Sequence, residues 1–178
     1  MRTLVAYASK YGATGRIAER IAERLQAFGL DAEARPVQQL ADLSGYEAFV
    51  IGSAAYVGHW QPEAVEFVRR NRVALADRPT WLFSSGPLGT EATDAEGRDL
   101  RVASEPKEIA GFREAILPRD HHVFFGALNP SKLGLRDRAI RTLPAGRALL
   151  PEGDFRDWRE IATWADGIAG ELAPISAS

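Results

Sequence analysis

Leu4-Val5-Ala6-Tyr7-Ala8 is an apolar run that passes directly into Ser9-Lys10-Tyr11-Gly12-Ala13-Thr14, and that hexapeptide passes directly into a patterned helix from Thr14 to Phe28. A strand, a short glycine-and-hydroxyl loop and a helix N-terminus together make an anion site. The first N–H groups of a helix have no partner within it, and the helix dipole adds partial positive charge there. Gly12 lets the backbone approach a ligand, and Ser9, Tyr11 and Thr14 each offer a hydroxyl. The Gly-Lys-Ser/Thr ending of a Walker loop is missing, and so is the G-x-G-x-x-G dinucleotide pattern. No cation occupies the last three loop positions. Neutral donors suit a phosphate monoester on a larger cofactor better than a triphosphate. The competing reading is a plain strand-to-helix turn with Thr14 as its N-cap.

Outward from this loop, the order reads β-α-β-β-α-β-α-β-α. Ile17, Ala18, Ile21, Ala22, Leu25 and Phe28 recur at helical spacing, and Gly29 closes the helix. Asp31–Pro36 reads as an edge strand and Ala48–Ser53 as a buried one. Pro62 opens a helix with Glu63 and Glu66 early and Arg69, Arg70 and Arg72 late, an order that complements the dipole. Thr80–Ser85 and His121–Gly126 read as strands, Pro106–Leu117 as a helix, and Trp158, Ile161, Ala162, Ala165, Ile168, Ala169 and Leu172 as the inward face of the last helix. Near-continuous apolar strands alternating with helices predict a parallel sheet covered on both faces, an α/β fold. Two stretches exceed a normal connection, the acidic loop Gly86–Ser104 and the insert Ala127–Gly153.

Composition narrows the function classes. The chain has 178 residues, 46% of them hydrophobic and 26% charged, which suits one globular domain over residues 1–173 with a flexible tail at 174–178. It has no cysteine, so thiolate catalysis, disulfides and cysteine-ligated clusters are excluded. No apolar run approaches the ~20 residues that span a bilayer. Met1-Arg2-Thr3 leads straight into a strand, so no signal peptide is expected and the cytoplasm is the expected compartment. A net charge of -2 gives no basic field for nucleic acid. It also falls short of the single-sign field that helps a dedicated soluble electron carrier to dock.

In an open α/β sheet, ligands bind beyond the C-terminal strand ends. Three loops leave that edge: Ser9–Thr14, the aromatic Ser53-Ala54-Ala55-Tyr56-Val57-Gly58-His59-Trp60, and the glycine-rich Ser84-Ser85-Gly86-Pro87-Leu88-Gly89. An aromatic loop facing a glycine-rich one suits a flat conjugated ring between them. Phosphate plus planar ring points to a mononucleotide, and flavin mononucleotide (FMN) fits best. Tyr56 and Trp60 are the candidates for stacking, with core packing beside Pro62 as the alternative. His59 either reaches the ring or stands exposed, and His121 and His122 read as sheet residues with no metal site expected. Ser84 and Ser85 either bond the ring or cap the loop. Trp158 and Trp164 read as packing residues.

With these residues in place, the chain resembles the flavodoxin-like family over nearly its full length. That resemblance implies a three-layer sandwich with a five-stranded parallel sheet in the order 2-1-3-4-5. It implies FMN held by Ser9, Tyr11, Gly12, Ala13 and Thr14 at the phosphate, with Ser53, Ala54, Ala55, Tyr56 and Val57 on one side of the ring and Ser85, Gly86, Pro87, Leu88 and Gly89 on the other. Within the family, Ile51–Trp60 leading into Pro62–Val68, Phe125-Gly126-Ala127-Leu128, the long insert and Asp157-Trp158 are similar to the menaquinone-dependent protoporphyrinogen dehydrogenase branch. The third loop, Ser85–Thr90, departs from that branch.

The branch implies an oxidoreductase with a quinone acceptor and an acidic porphyrin substrate. The rival expectations are a flavodoxin-type carrier that docks to a redox partner protein, and a binding module without flavin. The insert carries Lys132, Arg136, Arg138, Arg141 and Arg147 against Asp137 and Glu152, with Leu133, Leu135, Ile140, Leu143, Leu149 and Leu150 interleaved. It reads either as a basic, apolar lip at the ring, offering peripheral contact with a membrane surface, or as a solvated loop.

Overall fold

The computed structural model describes residues 1–173, and the tail expected at 174–178 lies outside the described residues. Its framework is a parallel sheet built from β1 (Arg2–Ala8), β2 (Asp31–Pro36), β3 (Ala48–Tyr56), β5 (Thr80–Ser85) and β6 (His121–Phe124), ordered β2-β1-β3-β5-β6. These are the five parallel strands expected, in the expected order. In addition, a two-residue strand β4 (His59–Trp60) folds back antiparallel on β3. The central strands are buried because both faces are covered. On one face lie α1 (Ala13–Ala27) and α8 (Trp158–Leu172), with Ile17, Ile21 and Leu25 meeting Ile161, Ala165 and Ile168 across Val5, Val50 and Phe83. On the other lie α2 (Pro62–Arg70), α3 (Arg72–Ala76) and α5 (Glu108–Ile116), which pack Phe67, Leu75 and Ile109 on Leu4, Ile51 and Leu82.

Register carries the C-terminal strand ends to one rim. Ala8 of β1 pairs with Ser53 of β3, and Ser53 pairs in turn with Ser84 of β5. Ser85 then pairs with Phe124 of β6, so the three site loops leave the same edge side by side.

Boundaries differ from expectation where strands overrun the apolar run. β3 continues past Ser53 to Tyr56, because a two-residue turn, Val57-Gly58, returns the chain into β4. Both turn residues have positive φ, 52° and 74°, the twist that a tight hairpin requires. Gly58 adopts it freely. Val57 is β-branched and therefore strained there.

The insert is the main departure. It is neither a bare loop nor a single lip, but a chain of short elements. β7 (Ala127–Leu128) pairs with β8 (Gly153–Asp154) to close its base. Between them stand a 3-10 turn (Pro130–Lys132), α6 (Leu135–Ile140) and α7 (Pro144–Leu149). The acidic loop also gains a helical turn, α4 (Leu100–Ala103), capped by Asp99. Among the described residues no helix is long and apolar enough to cross a membrane.

Candidate functional site

The phosphate loop closes on itself. Ser9 Oγ accepts the Gly12 N–H at 2.9 Å, and Gly12 takes a left-handed φ of 91° as the residue before α1. Thr14 is therefore not the N-cap. It sits within the first helical turn, 1% exposed, and contributes to the wall of the neighbouring cavity. Beyond Gly12, the first N–H groups of α1 have no intrahelical partner. The loop thus presents a helix end, a threonine hydroxyl and a glycine at one point.

That cavity is a half-open cleft with about 70 Å³ of room for water-sized molecules, continuous with solvent at its mouth. Its walls come from the three expected loops: Tyr11, Ala13 and Thr14 from the first, Ala54, Ala55 and Tyr56 from the second, and Ser85, Gly86 and Leu88 from the third. Gly126, Ala127 and Leu128 after β6, with Leu150 of the insert, complete it. The floor is a slot of small residues. A Cβ on Gly86 would lie 3.2 Å from the Ala55 Cβ, and one on Gly126 would lie 3.3 Å from a Leu88 methyl. A side chain at either glycine would crowd these neighbours and rise into the cleft above them. Val57 lies at the outer mouth, 81% exposed, beside Ile140. Pro87 accepts the Gly126 N–H through its carbonyl at 2.9 Å, which ties the third loop to the turn after β6. Gly89 lines a separate surface hollow with Arg101 and Phe155.

Several of the expected site residues make contacts within the protein. Ser53 is fully buried and accepts the Gln61 N–H at 2.9 Å, so its hydroxyl fixes the hairpin. Trp60 is a core residue. Its ring tilts against Phe112, and its Nε1–H donates to Ser84 Oγ at 2.7 Å. Ser84 in turn meets His121 Nε2 at 2.8 Å, and His121 Nδ1 faces Glu105 at 3.3 Å. Burial lowers the His121 pKa against the pull of Glu105, so the ring is neutral and accepts the Ser84 proton while donating to Glu105. His59 pairs with Glu108 at 2.7 Å, and Glu108 also takes the Trp60 N–H at 3.1 Å. His59 thereby braces the second loop against the first residue of α5. His122, against Phe124 and Trp164, belongs to the packing around α8. Trp158 is partly exposed under the Arg156 guanidinium. Among the described residues no group of acidic, histidine or cysteine side chains forms a metal site.

The residue that sequence reasoning missed is Asp137. Carried by α6, it is 3% exposed and accepts three donors: Lys10 Nζ at 2.8 Å, Tyr56 Oη at 2.7 Å, and the Tyr11 hydroxyl. Burial by itself would raise the Asp137 carboxyl, but those hydrogen bonds and the Lys10 charge outweigh it and bring the pKa down to about 2. The Tyr56 phenol is raised by its bond to Asp137 and by burial, and Tyr11 by burial and the same carboxylate, so both remain neutral donors. Lys10 Nζ stands 3.3 Å from the centre of the Tyr56 ring, a cation–π contact that occupies one face of it. The insert is thus pinned over the site by one carboxylate that touches both the first and the second loop. The only sequence signal was a lone acid between Arg136 and Arg138 in a basic segment.

A flavin fits this set of residues. Small residues at Ala55, Gly86 and Gly126 leave the floor at the strand ends open to close approach by a planar ring, and the helix end beside Thr14 has the chemistry of a phosphate site.

Comparison with known proteins agrees with the fold. Residues 4–144 match the family described as flavodoxin domain. A curated relative, protoporphyrinogen IX dehydrogenase [quinone] of Escherichia coli (strain K12), is 25% identical over 176 residues, 95% of each chain. A cysteine-to-serine mutant of flavodoxin from Pseudomonas aeruginosa superposes with a TM-score of 0.60 at 15% identity, over 97% of this chain and 99% of that one. Rubredoxin oxygen:oxidoreductase of Desulfovibrio gigas gives a TM-score of 0.60 at 13% identity over 96% of this chain, which spans 36% of the length of that protein.

Proposed function

This chain belongs to the flavodoxin domain family, and on that premise we propose that it binds FMN and works as an oxidoreductase similar to the protoporphyrinogen dehydrogenase it resembles. The observation that carries the proposal is the cleft lined by all three strand-end loops, with small residues Ala55, Gly86 and Gly126 on its floor and Thr14 of the first α1 turn at its end. The chemistry that FMN supplies when bound is reversible electron transfer at its ring.

The protein's part is to bind, orient and shield. The first-turn N–H groups of α1 and the Thr14 hydroxyl hold the phosphate. Ala54, Ala55 and Tyr56 support one flank of the ring, and Ser85, Gly86 and Leu88 the other. The insert, fixed by Asp137, covers the outer side. The buried His121 lies outside the cavity wall.

Two features favour an enzyme over a flavodoxin-type carrier. The net charge is small. The mouth is apolar, with Val57, Ile140 and Leu150 around the entrance and Leu135 and Leu143 exposed on the insert. A planar, apolar, acid-bearing substrate and a quinone acceptor suit such a mouth, with Arg136, Arg138 and Arg147 exposed on the same insert for the carboxylates or for an anionic membrane surface. Anaerobic mixing of the FMN-loaded protein with protoporphyrinogen IX tests the reading. Bleaching of the flavin, reversed by a menaquinone analogue, is expected. Bound FMN that stays oxidised refutes the dehydrogenase and leaves the electron carrier.

A further inference from the structure

We infer that Lys132, carried in by the insert, is the cationic ligand of the cofactor phosphate. This rests on the FMN reading above and deepens it. Taken by itself the first loop holds its anion with neutral donors, whereas a phosphate monoester carries about −1.5 to −2 at neutral pH. The fold brings three cations, Arg16, Lys132 and Arg156, to the hollow outside the α1 N-terminus, which the carboxylates Glu152 and Asp154 also line. Two of the cations have carboxylate partners. Arg156 grips Asp154 with Nε at 2.7 Å and Nη2 at 2.5 Å, and Arg16 lies 3.6 Å from Glu19. Lys132 makes no ion pair among the described residues, and its Nζ lies 3.6 Å from the position a Cβ would take on Gly12. Gly12 is the left-handed residue that starts α1, so this ammonium stands directly at the phosphate loop.

Its placement is built by the surrounding chain. Asn129 Oδ1 accepts the Ser131 N–H at 3.0 Å and caps the 3-10 turn that ends in Lys132. A few residues on, Asp137 locks α6 to Lys10, Tyr11 and Tyr56. Insert docking and phosphate neutralisation are therefore coupled, and the insert is a clamp on the cofactor as well as a wall for the substrate. Lys132 itself is exposed, so replacing it removes a charge without opening the core.

The test is a fluorescence titration of wild type, Lys132→Ala and Lys132→Arg with FMN and, separately, with riboflavin, which has the same ring and no phosphate. A partly exposed charge-assisted hydrogen bond predicts FMN affinity roughly 5- to 30-fold lower in Lys132→Ala. Riboflavin affinity is expected to be unchanged, and Lys132→Arg to bind FMN nearly as wild type does. FMN bound equally well by Lys132→Ala overturns the assignment while leaving the cofactor reading intact. Equal losses for FMN and riboflavin overturn it too, because the lysine would then act only by ordering the insert. A wild-type protein that binds neither flavin overturns the cofactor reading and Lys132 with it.

Discussion

Replacing Asp137 by alanine should release the insert while leaving the sheet folded. The carboxyl is depressed from its ordinary 3.8 to about 2, and at 1.36 kcal/mol per pKa unit this corresponds to about 2 kcal/mol of folded-state interaction. The folded pKa lies below the unfolded one, so this contribution is present above about pH 4 and is lost as the pH falls through about 2. All three donors lie in the first two site loops, whereas Asp137 lies in the insert, so the energy acts on insert docking. Losing about 2 kcal/mol multiplies the open population by roughly 30. Lys132, Arg136, Arg138, Arg141 and Arg147 make the insert the natural place to read that opening with trypsin. At low protease, where cleavage follows the open population, Asp137→Ala should be cut at these positions roughly 30-fold faster, by mass spectrometry, with cutting at Arg20 and Arg24 of α1 unchanged. Asp137→Asn, which keeps an acceptor but loses the charge, should fall between. Cleavage of Asp137→Ala within about twofold of wild type would refute the idea that this carboxylate holds the insert down.

Other outcomes follow from the same geometry. Thr14→Ala should weaken FMN binding by roughly 1–3 kcal/mol, the usual loss for a hydrogen bond to a charged group; an unchanged titration would remove this hydroxyl from the phosphate site. In Gly86→Val the added carbons meet Ala55, whose Cβ is already 3.2 Å from the position of a Cβ. Overpacking of about 1–3 kcal/mol predicts a roughly 5- to 150-fold loss of flavin affinity, measured beside the melting temperature to show that the fold survives. His121 has a pKa lowered by burial, so the unfolded chain binds a proton that the folded chain refuses. Stability should therefore fall as the pH drops below about 6.5. Urea unfolding at pH 7.5 and 5.5 should show that loss in wild type and a smaller one in His121→Gln, and equal slopes would contradict the buried neutral ring.

Much of the fold was legible because its strands and helices are long enough to show a period. β1, α1 and α8 each extend over many residues with an apolar face, and Ile161, Ala165, Ile168, Ala169 and Leu172 of the last helix are buried as expected, whereas Trp158 stands exposed at its start. The insert was not legible for the opposite reason. α6 and α7 are six residues each and β7 and β8 only two, too short for any period to emerge. Their order depends on a contact between Asp137 and Lys10, 127 positions apart.

The site shows the same division. The small residues of the slot, Ala54, Ala55, Ser85 and Gly86, could be read from loops that follow strands. Trp60 could not be assigned to the core, since an indole beside a loop serves packing and stacking equally. Its Nε1–H bond to the buried Ser84 settles the matter only in three dimensions. Lys132 escaped because its nearness to Gly12 arises from the β7–β8 closure, which local spacing does not encode.

The central claim is that the slot at the strand ends holds FMN. The direct measurement is the visible absorption of purified protein titrated with FMN under native conditions. The account predicts saturable binding of one flavin per chain, with a perturbed flavin spectrum and quenched fluorescence, weakened by Gly86→Val. A protein that leaves the flavin spectrum unchanged at every concentration would contradict it, and only the fold would stand.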